Sequence, residues 1–226
     1  MAAGLLAGCT AAEARRAEAL LRQAQLAQRQ VRTESFVLRL GVEGAGRTVS
    51  INIGGGAYLR GARAGDFFMQ MNGSGFPGSN ALDVAAERLG GTVTIRAGGQ
   101  SETLPALAAR TKLGLGNVAG LVGAAQYVKS VSVDATDLDG RPADRIVGTV
   151  DMQRLIASLG GVGSSALGIG GVHVGDARVV LFVPRDTHLV EVMLVDTTIS
   201  AHGQSVDMHL SLALDGVNKP LSFPVF

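Results

Sequence analysis

Short runs of alternating apolar and polar residues recur along most of this chain. Successive side chains of a β-strand point to opposite faces of a sheet, so a period of two is typical of half-buried strands. The clearest run carries Phe36, Leu38, Leu40 and Val42 at every second position, and a turn at 43–47 joins it to a second run at 49–53. Further strands are predicted at 56–60, 66–72, 92–97, 130–136, 144–150, 177–183, 189–199 and 205–214.

The segments between many of these runs are short and rich in turn residues, which favours antiparallel pairing over parallel crossovers. Glycine contributes 32 of the 226 residues, about twice its usual share of roughly 7%. A sheet of about ten strands does not stay flat, and glycine at strand ends and bulges permits curvature. We therefore expect an α+β fold with a single large curved antiparallel sheet.

A helix is predicted before the first strand. Residues 10–13 match a Thr-x-x-Glu capping box, and no glycine or proline follows before Thr33. Arg15, Arg22 and Arg29 recur every seven residues on one face, either as a solvated surface or as a basic surface resting on anionic headgroups. The opposite, apolar stripe consists of Ala17, Leu20, Ala24, Ala27 and Val31.

Two more helices are predicted between the strands. The first carries a stripe of Val118, Leu121, Val122 and Ala125, and the second, which Asp151 would cap, carries Leu155, Ile156 and Leu159. The glycine-rich stretch at 160–175 that follows is predicted to be a long loop.

The N-terminal sequence Leu-Ala-Gly-Cys at 6–9 contains the chain's single cysteine and resembles a bacterial lipobox. Small side chains before a cysteine admit a processing protease, and the thiol is the nucleophile that accepts a diacylglycerol. We expect residues 1–9 to be the remnant of a signal segment with its lipobox, residues 10–226 to form a single domain outside the cytoplasm, and Cys9 to be lipidated. The alternative is a small buried cysteine that follows Leu-Ala-Gly by chance.

Charge and motifs argue against several other functions. A formal net charge of +1 gives no basic field for nucleic acid. The four histidines have no metal-ligand spacing, Ser164 and Ser165 lack a nucleophile elbow, and the carboxylates at 137–144 surround a turn where Asp is common. Glycines at 114–120 with Asp134 allow a dinucleotide-binding interpretation, although the preceding segment is not a buried parallel strand. We predict no catalytic residues, metal or cofactor.

Five segments carry a resemblance to a known family: the lipobox, the leading helix, and residues 34–40, 137–151 and 218–224. In this order they resemble the LppX and LprG lipoproteins of actinobacterial envelopes, within the wider LolA-like fold. The resemblance covers nearly all of the chain after Cys9. It implies a half-barrel, an incomplete barrel with helices packed against its concave face. The apolar cavity of such a fold takes the acyl chains of a lipid or lipoglycan and carries them through the envelope.

A cavity for acyl chains needs a wide apolar wall, because each methylene removed from water contributes about 0.8 kcal/mol. Methionines suit such a wall, since their unbranched side chains repack around varied ligands. The alternative for every candidate is an ordinary place in the core. The residues fit to line the cavity are Phe36, Leu38, Leu40, Val49, Ile51, Ile53, Phe67, Met69, Met71, Leu121, Val122 and Leu155.

The residues and the resemblance together predict a monomeric, membrane-anchored lipoprotein that transports a lipid or lipoglycan. We also expect an envelope transport partner for this protein. A second possibility is an envelope sensor of the same fold that binds a protein, for which an added docking domain would be diagnostic. An enzyme acting on envelope glycolipids would require paired carboxylates or a Ser/His contact in the cavity, and the sequence offers neither.

Overall fold

The described residues include twelve strands, which all belong to one antiparallel sheet. The computed structural model describes residues 11–44, 46–75, 82–105, 128–151, 173–174, 176–201 and 204–223. One helix, α1 (Ala11–Gln28), precedes the strands. The strands are β1 (Thr33–Gly44), β2 (Arg47–Tyr58), β3 (Phe67–Ser74), β4 (Leu82–Leu89), β5 (Thr92–Ala97), β6 (Gln100–Pro105), β7 (Val128–Leu138), β8 (Arg141–Asp151), β9 (His173–Val174), β10 (Asp176–Pro184), β11 (Val192–Ala201) and β12 (Gln204–Val217).

The sheet is open, with the first and last long strands side by side near its middle. Its order is β6-β5-β4-β3-β2-β1-β12-β11-β10-β8-β7, and β9 pairs with β11. Because β6 and β7 end this order without pairing to each other, the curved sheet does not close into a barrel. The predicted single large antiparallel sheet is confirmed. Its pairing also argues against a dinucleotide-binding fold, which requires parallel strands; residues 114–120 lie outside the described part of the chain.

Tight turns between neighbouring strands follow the local sequence. Leu138 pairs with Arg141 at the end of the β7–β8 hairpin, and the two residues between them, Asp139 and Gly140, have φ angles of 53° and 79°. Positive φ at both positions is the mirror-image turn that suits the twist of paired strands, and Asp-Gly is a favoured sequence for it. The predicted turn at 43–47 is also confirmed, since Gly44 pairs with Arg47.

Several strand predictions missed part of the sheet. β2 runs without interruption through three glycines to Tyr58, whereas the sequence suggested two separate strands. Three strands were not predicted at all: β4 contains three charged residues, β6 lacks an alternating pattern, and β9 falls within the predicted loop at 160–175. All three are held by backbone pairing with their neighbours rather than by their own pattern.

The register defines an inner face of the sheet, which carries Phe36 and Leu38 of β1. Directly opposite residues share a face, so this face continues through Ile53 of β2 and Leu212 of β12. It extends through Met193, Leu181, Ile146 and Val133 to the β7 edge. These residues belong to the main buried cluster.

Helix α1 packs against the inner face. Ala17, Leu21 and Ala24 are buried in the same cluster as the inner-face residues, and Arg15, Arg22 and Arg29 are exposed, as predicted. The helix ends at Gln28, five residues before the predicted limit at Thr33, because Thr33 already belongs to β1. The predicted helices around Leu121 and Leu155 lie outside the described residues, so the expected helices on the concave face stay a prediction. Within the described residues, no helix has the length and apolarity needed to cross a membrane.

The C-terminal segment fastens the start of β1. The side-chain oxygen of Asn218 accepts a hydrogen bond from the backbone N–H of Arg32 at 2.7 Å, and the Asn218 N–H donates to the Thr33 carbonyl at 2.8 Å. The Thr33 hydroxyl donates in turn to the carbonyl of Lys219 at 2.7 Å. Phe223 then stacks on Tyr58 with a centroid distance of 6.0 Å. The start of β1 and the segment after β12 are thus bound together beside β2.

Asp144 joins α1 to the sheet. It lies on the inner face of β8, opposite Val183, and only 7% of its side chain is exposed. Its carboxylate accepts hydrogen bonds from Arg185 at 3.0 and 3.2 Å and from Arg16 of α1 at 3.2 Å. Sequence analysis placed Asp144 both near the turn and at the start of a strand; the strand is confirmed, but the burial of Asp144 and its ion pairs were not predicted.

Replacing Asp144 with asparagine tests this connection. We expect Asp144→Asn to lower the free energy of unfolding by about 2 kcal/mol, because a neutral amide replaces a buried acceptor of three charged hydrogen bonds. Urea denaturation followed by circular dichroism measures the change. The control is Asp134→Asn on β7, where the side chain is 61% exposed and lies 3.6 Å from Arg145; its effect should stay below about 0.5 kcal/mol. Equal effects of the two variants would show that Asp144 does not fix the helix.

Candidate functional site

Nine of the twelve predicted cavity residues lie on the inner face, in three adjacent strands. Leu38 is opposite Ile53, and Ile53 is opposite Met71, so one row crosses β1, β2 and β3. A parallel row joins Leu40 to Ile51. The remaining residues on this face are Phe36, Val49, Phe67 and Met69. Leu121, Val122 and Leu155 lie outside the described residues.

Burial of these nine side chains decreases with distance from the core. Phe36, Leu38 and Met69 are 5%, 7% and 9% exposed. Leu40 and Ile53 are partly buried and pack against the core cluster. The other four, Val49, Ile51, Phe67 and Met71, are half-buried. The wall is therefore apolar throughout but firmly packed in only part of its area.

The same apolar face continues beyond the predicted residues. Val84 of β4 lies opposite Met71, and Ala86 lies opposite Met69. Ile95 of β5 is opposite Ala86. Sequence analysis missed the β4 part of this wall because the two small alanines and the charged residues of that strand hide its alternation.

Gly55 gives Phe36 its place on this wall. The two residues are paired between β1 and β2. A methyl group on Gly55 would lie 2.6 Å from the carbonyl oxygen of Phe68 and 3.0 Å from the Phe36 ring. Since such contacts are too short for a Cβ atom, glycine lets the aromatic ring lie directly over the backbone of β2.

Glu34 is a polar exception within this apolar face, and sequence analysis did not select it. It precedes Phe36 by two positions in β1 and lies opposite Ala57 and Val217. Its relative exposure is 0%, and neither carboxylate oxygen has a hydrogen-bond partner among the described residues. Burial raises the pKa of the Glu34 carboxyl to about 7. The signal was present in the sequence, because Glu34 shares the even spacing of Phe36, Leu38 and Leu40.

Cys9, the predicted lipidation site, lies outside the described residues. The two segments of the family resemblance that fall wholly in the described part of the chain have defined places. Residues 34–40 form the inner wall of β1, and residues 137–151 form the turn and strand that carry Asp144.

Comparison with known proteins reveals a similarity of fold. No protein-family model and no curated protein sequence matches the chain. The crystal structure of the lipoprotein LppX from Mycobacterium tuberculosis matches 92% of this chain and 98% of its own, with a TM-score of 0.50 and 10% identity. LprF from Mycobacterium bovis matches 94% of this chain and 98% of its own, with a TM-score of 0.54 and 15% identity. The chain thus has an LppX/LprG-type lipoprotein fold, as the resemblance implied.

The pH dependence of stability tests the buried state of Glu34. The pKa of its carboxyl is about 7 in the folded protein against 4.5 for the free group, so the folded state holds the proton more tightly. Stability is then lost as the pH rises through this interval, by about 3 kcal/mol in total. We expect Glu34→Gln to remove this loss, which denaturant titrations between about pH 4 and pH 8 would measure.

Glu43→Gln provides the control, because Glu43 is in the same strand but exposed. Since this side chain is exposed, we expect the variant to lose stability with rising pH as the parent protein does. Identical slopes for Glu34→Gln and the parent would contradict the burial of an unpartnered carboxyl.

Proposed function

We propose that this protein is an envelope lipoprotein that binds the acyl chains of a lipid or lipoglycan on its inner face and carries that ligand across the cell envelope. One observation carries the proposal: the strand register collects Phe36, Leu38, Leu40 and their neighbours in β2 and β3 on a single apolar face. Such a face binds acyl chains without directional contacts, since each buried methylene contributes about 0.8 kcal/mol.

The half-buried part of the wall is suited to an exchangeable ligand. Val49, Ile51, Phe67 and Met71 retain some solvent exposure, so an acyl chain would remove further apolar surface from water. Met71 can adopt several rotamers around ligands of different shape. The fold shared with the LppX and LprF lipoproteins supports this assignment, as does the lipobox-like sequence at Cys9.

A charged substitution on the wall tests the binding face. We expect Ile51→Arg to weaken binding of a fluorescent acyl probe at least about tenfold, because a guanidinium would be desolvated by the bound chain. Ile51 is half-buried, so the fold should tolerate the long side chain, with its charge in water in the absence of ligand. Fluorescence titration gives the dissociation constant, and circular dichroism verifies the fold.

Asn52→Arg is the matched control, since Asn52 is the next residue along β2 and is exposed. Alternation places it on the other face of the sheet, and we expect its affinity to equal that of the parent. Equal affinities for both variants, or equal losses, would show that the inner face does not select the probe.

The anchor is tested separately at Cys9. In host cells grown with an alkyne-labelled fatty acid, the parent protein should carry the label and sediment with membranes, because the thiol is the acylated group. Cys9→Ser should remove the label and release the protein into the soluble envelope fraction. Absence of label from the parent would contradict the lipidation proposal while leaving acyl binding untouched.

A further inference from the structure

Two polar side chains meet the interior where α1 ends and β1 begins. Gln28 continues the sheet-facing stripe of the helix, because it follows Ala17, Leu21 and Ala24 at the i+11, i+7 and i+4 positions. Those three residues are buried in the core cluster. Glu34 lies on the inner face of β1, two positions before Phe36. One side chain therefore lies on the buried stripe of the helix and the other on the inner face of the sheet, and both surfaces contribute to the same core cluster.

Neither side chain has a hydrogen-bond partner within the described part of the chain. The amide nitrogen and oxygen of Gln28 and both carboxylate oxygens of Glu34 are shielded from solvent, and none of these four atoms makes a hydrogen bond there. Buried polar atoms nearly always have a hydrogen-bond partner, so each such group requires an explanation. Two of them, at the end of α1 and the start of β1, indicate a place that binds a polar group.

The neighbours restrict the chemistry of that group. On the inner face, Glu34 lies between Ala57 of β2 and Val217 of β12, both of which are apolar. Burial is the one cause of its raised pKa, with no contribution from a nearby charge. Arg32 and Lys219, which are close to Glu34 and Val217 in sequence, are exposed. Since no cation among the described residues contributes to the pKa of this carboxyl, an anionic ligand group is disfavoured here.

We propose that Glu34 and Gln28 form a polar subsite at one end of the acyl-binding face, and that this subsite binds an uncharged hydroxyl group of the ligand. The inference rests on the proposed acyl-binding function and adds a selectivity to it. A hydroxyl both donates and accepts a hydrogen bond, so it can pair with a carboxyl oxygen and with the Gln28 amide at once. An ester at the same position can only accept and leaves one protein group unsatisfied.

The experiment compares dioctanoylglycerol, which has one free hydroxyl, with its acetyl ester, in which an acetyl group replaces the hydroxyl hydrogen. The full chain carrying Cys9→Ser, which removes the lipid anchor, is titrated with each ligand at about pH 6, where a carboxyl with a pKa of about 7 holds its proton. We expect the free hydroxyl to bind about tenfold more tightly, as the loss of one buried hydrogen bond implies. Displacement of a fluorescent acyl probe measures both affinities.

Substitution assigns the preference to the two side chains. Glu34→Met and Gln28→Met keep a similar length and volume but cannot form hydrogen bonds, so each should bind the two ligands with nearly equal affinity. Glu43→Met, on the same strand but exposed, should retain the tenfold preference. Because the Glu34 carboxyl has no hydrogen-bond partner among the described residues, Glu34→Met should also unfold at a temperature no lower than the parent does. If Glu34→Met fails to fold, Gln28→Met gives an independent test.

The outcomes separate this inference from the function on which it rests. If the parent binds both ligands equally, or if both methionine variants keep the parent's preference, the subsite is wrong and acyl binding stands. If the parent binds neither ligand, both the acyl-binding function and the subsite are wrong. A preference that both methionine variants lose and Glu43→Met retains is the result that supports the subsite.

Discussion

The pairing of the first strand with β12 is the interaction on which the rest of this structure depends. β1 pairs with β2 on one side and with β12 on the other, where the register shifts between Ser35 and Phe36, so it joins the strands before residue 106 to those after residue 127. The hydrogen bonds of Asn218 and Thr33 fasten the same ladder at its end. Because a shift of one residue would turn every side chain of β1 to the opposite face, this register decides which residues face α1.

Much of this arrangement follows from the sequence, because alternation and turn chemistry are local. The alternation from Phe36 to Val42 indicates a strand with one apolar face, and the sequence Asp139-Gly140 indicates a tight hairpin. β4 and β6 could not be predicted in this way, because their own residues do not favour strands and neighbouring ladders hold them. The burial of Asp144 could not be predicted either, because its hydrogen-bond donors, Arg16 and Arg185, are more than forty residues away in the chain.

At the candidate site, too, the sequence predicts some features and the packed structure is needed for others. Strand parity alone places nine predicted wall residues on one face, but the degree of burial, from 5% exposed at Phe36 to half-buried at Ile51, depends on α1 and on the neighbouring strands. Glu34 combines one feature that the sequence shows with one that it does not. Its even spacing with Phe36 could be read from the sequence, whereas its lack of a hydrogen-bond partner among the described residues required the packed structure. An unpaired carboxyl lowers stability, and proteins tolerate that cost chiefly where a ligand uses the group.

Native mass spectrometry, combined with lipid extraction, tests the central claim most directly. The protein would carry Cys9→Ser and be purified from its own host without added lipid. Binding on the inner face predicts a mass increment from acylated species at close to one equivalent, and extraction would identify their class. An unmodified mass, together with no uptake when envelope lipids are added, would contradict the proposal that this apolar face carries acyl chains.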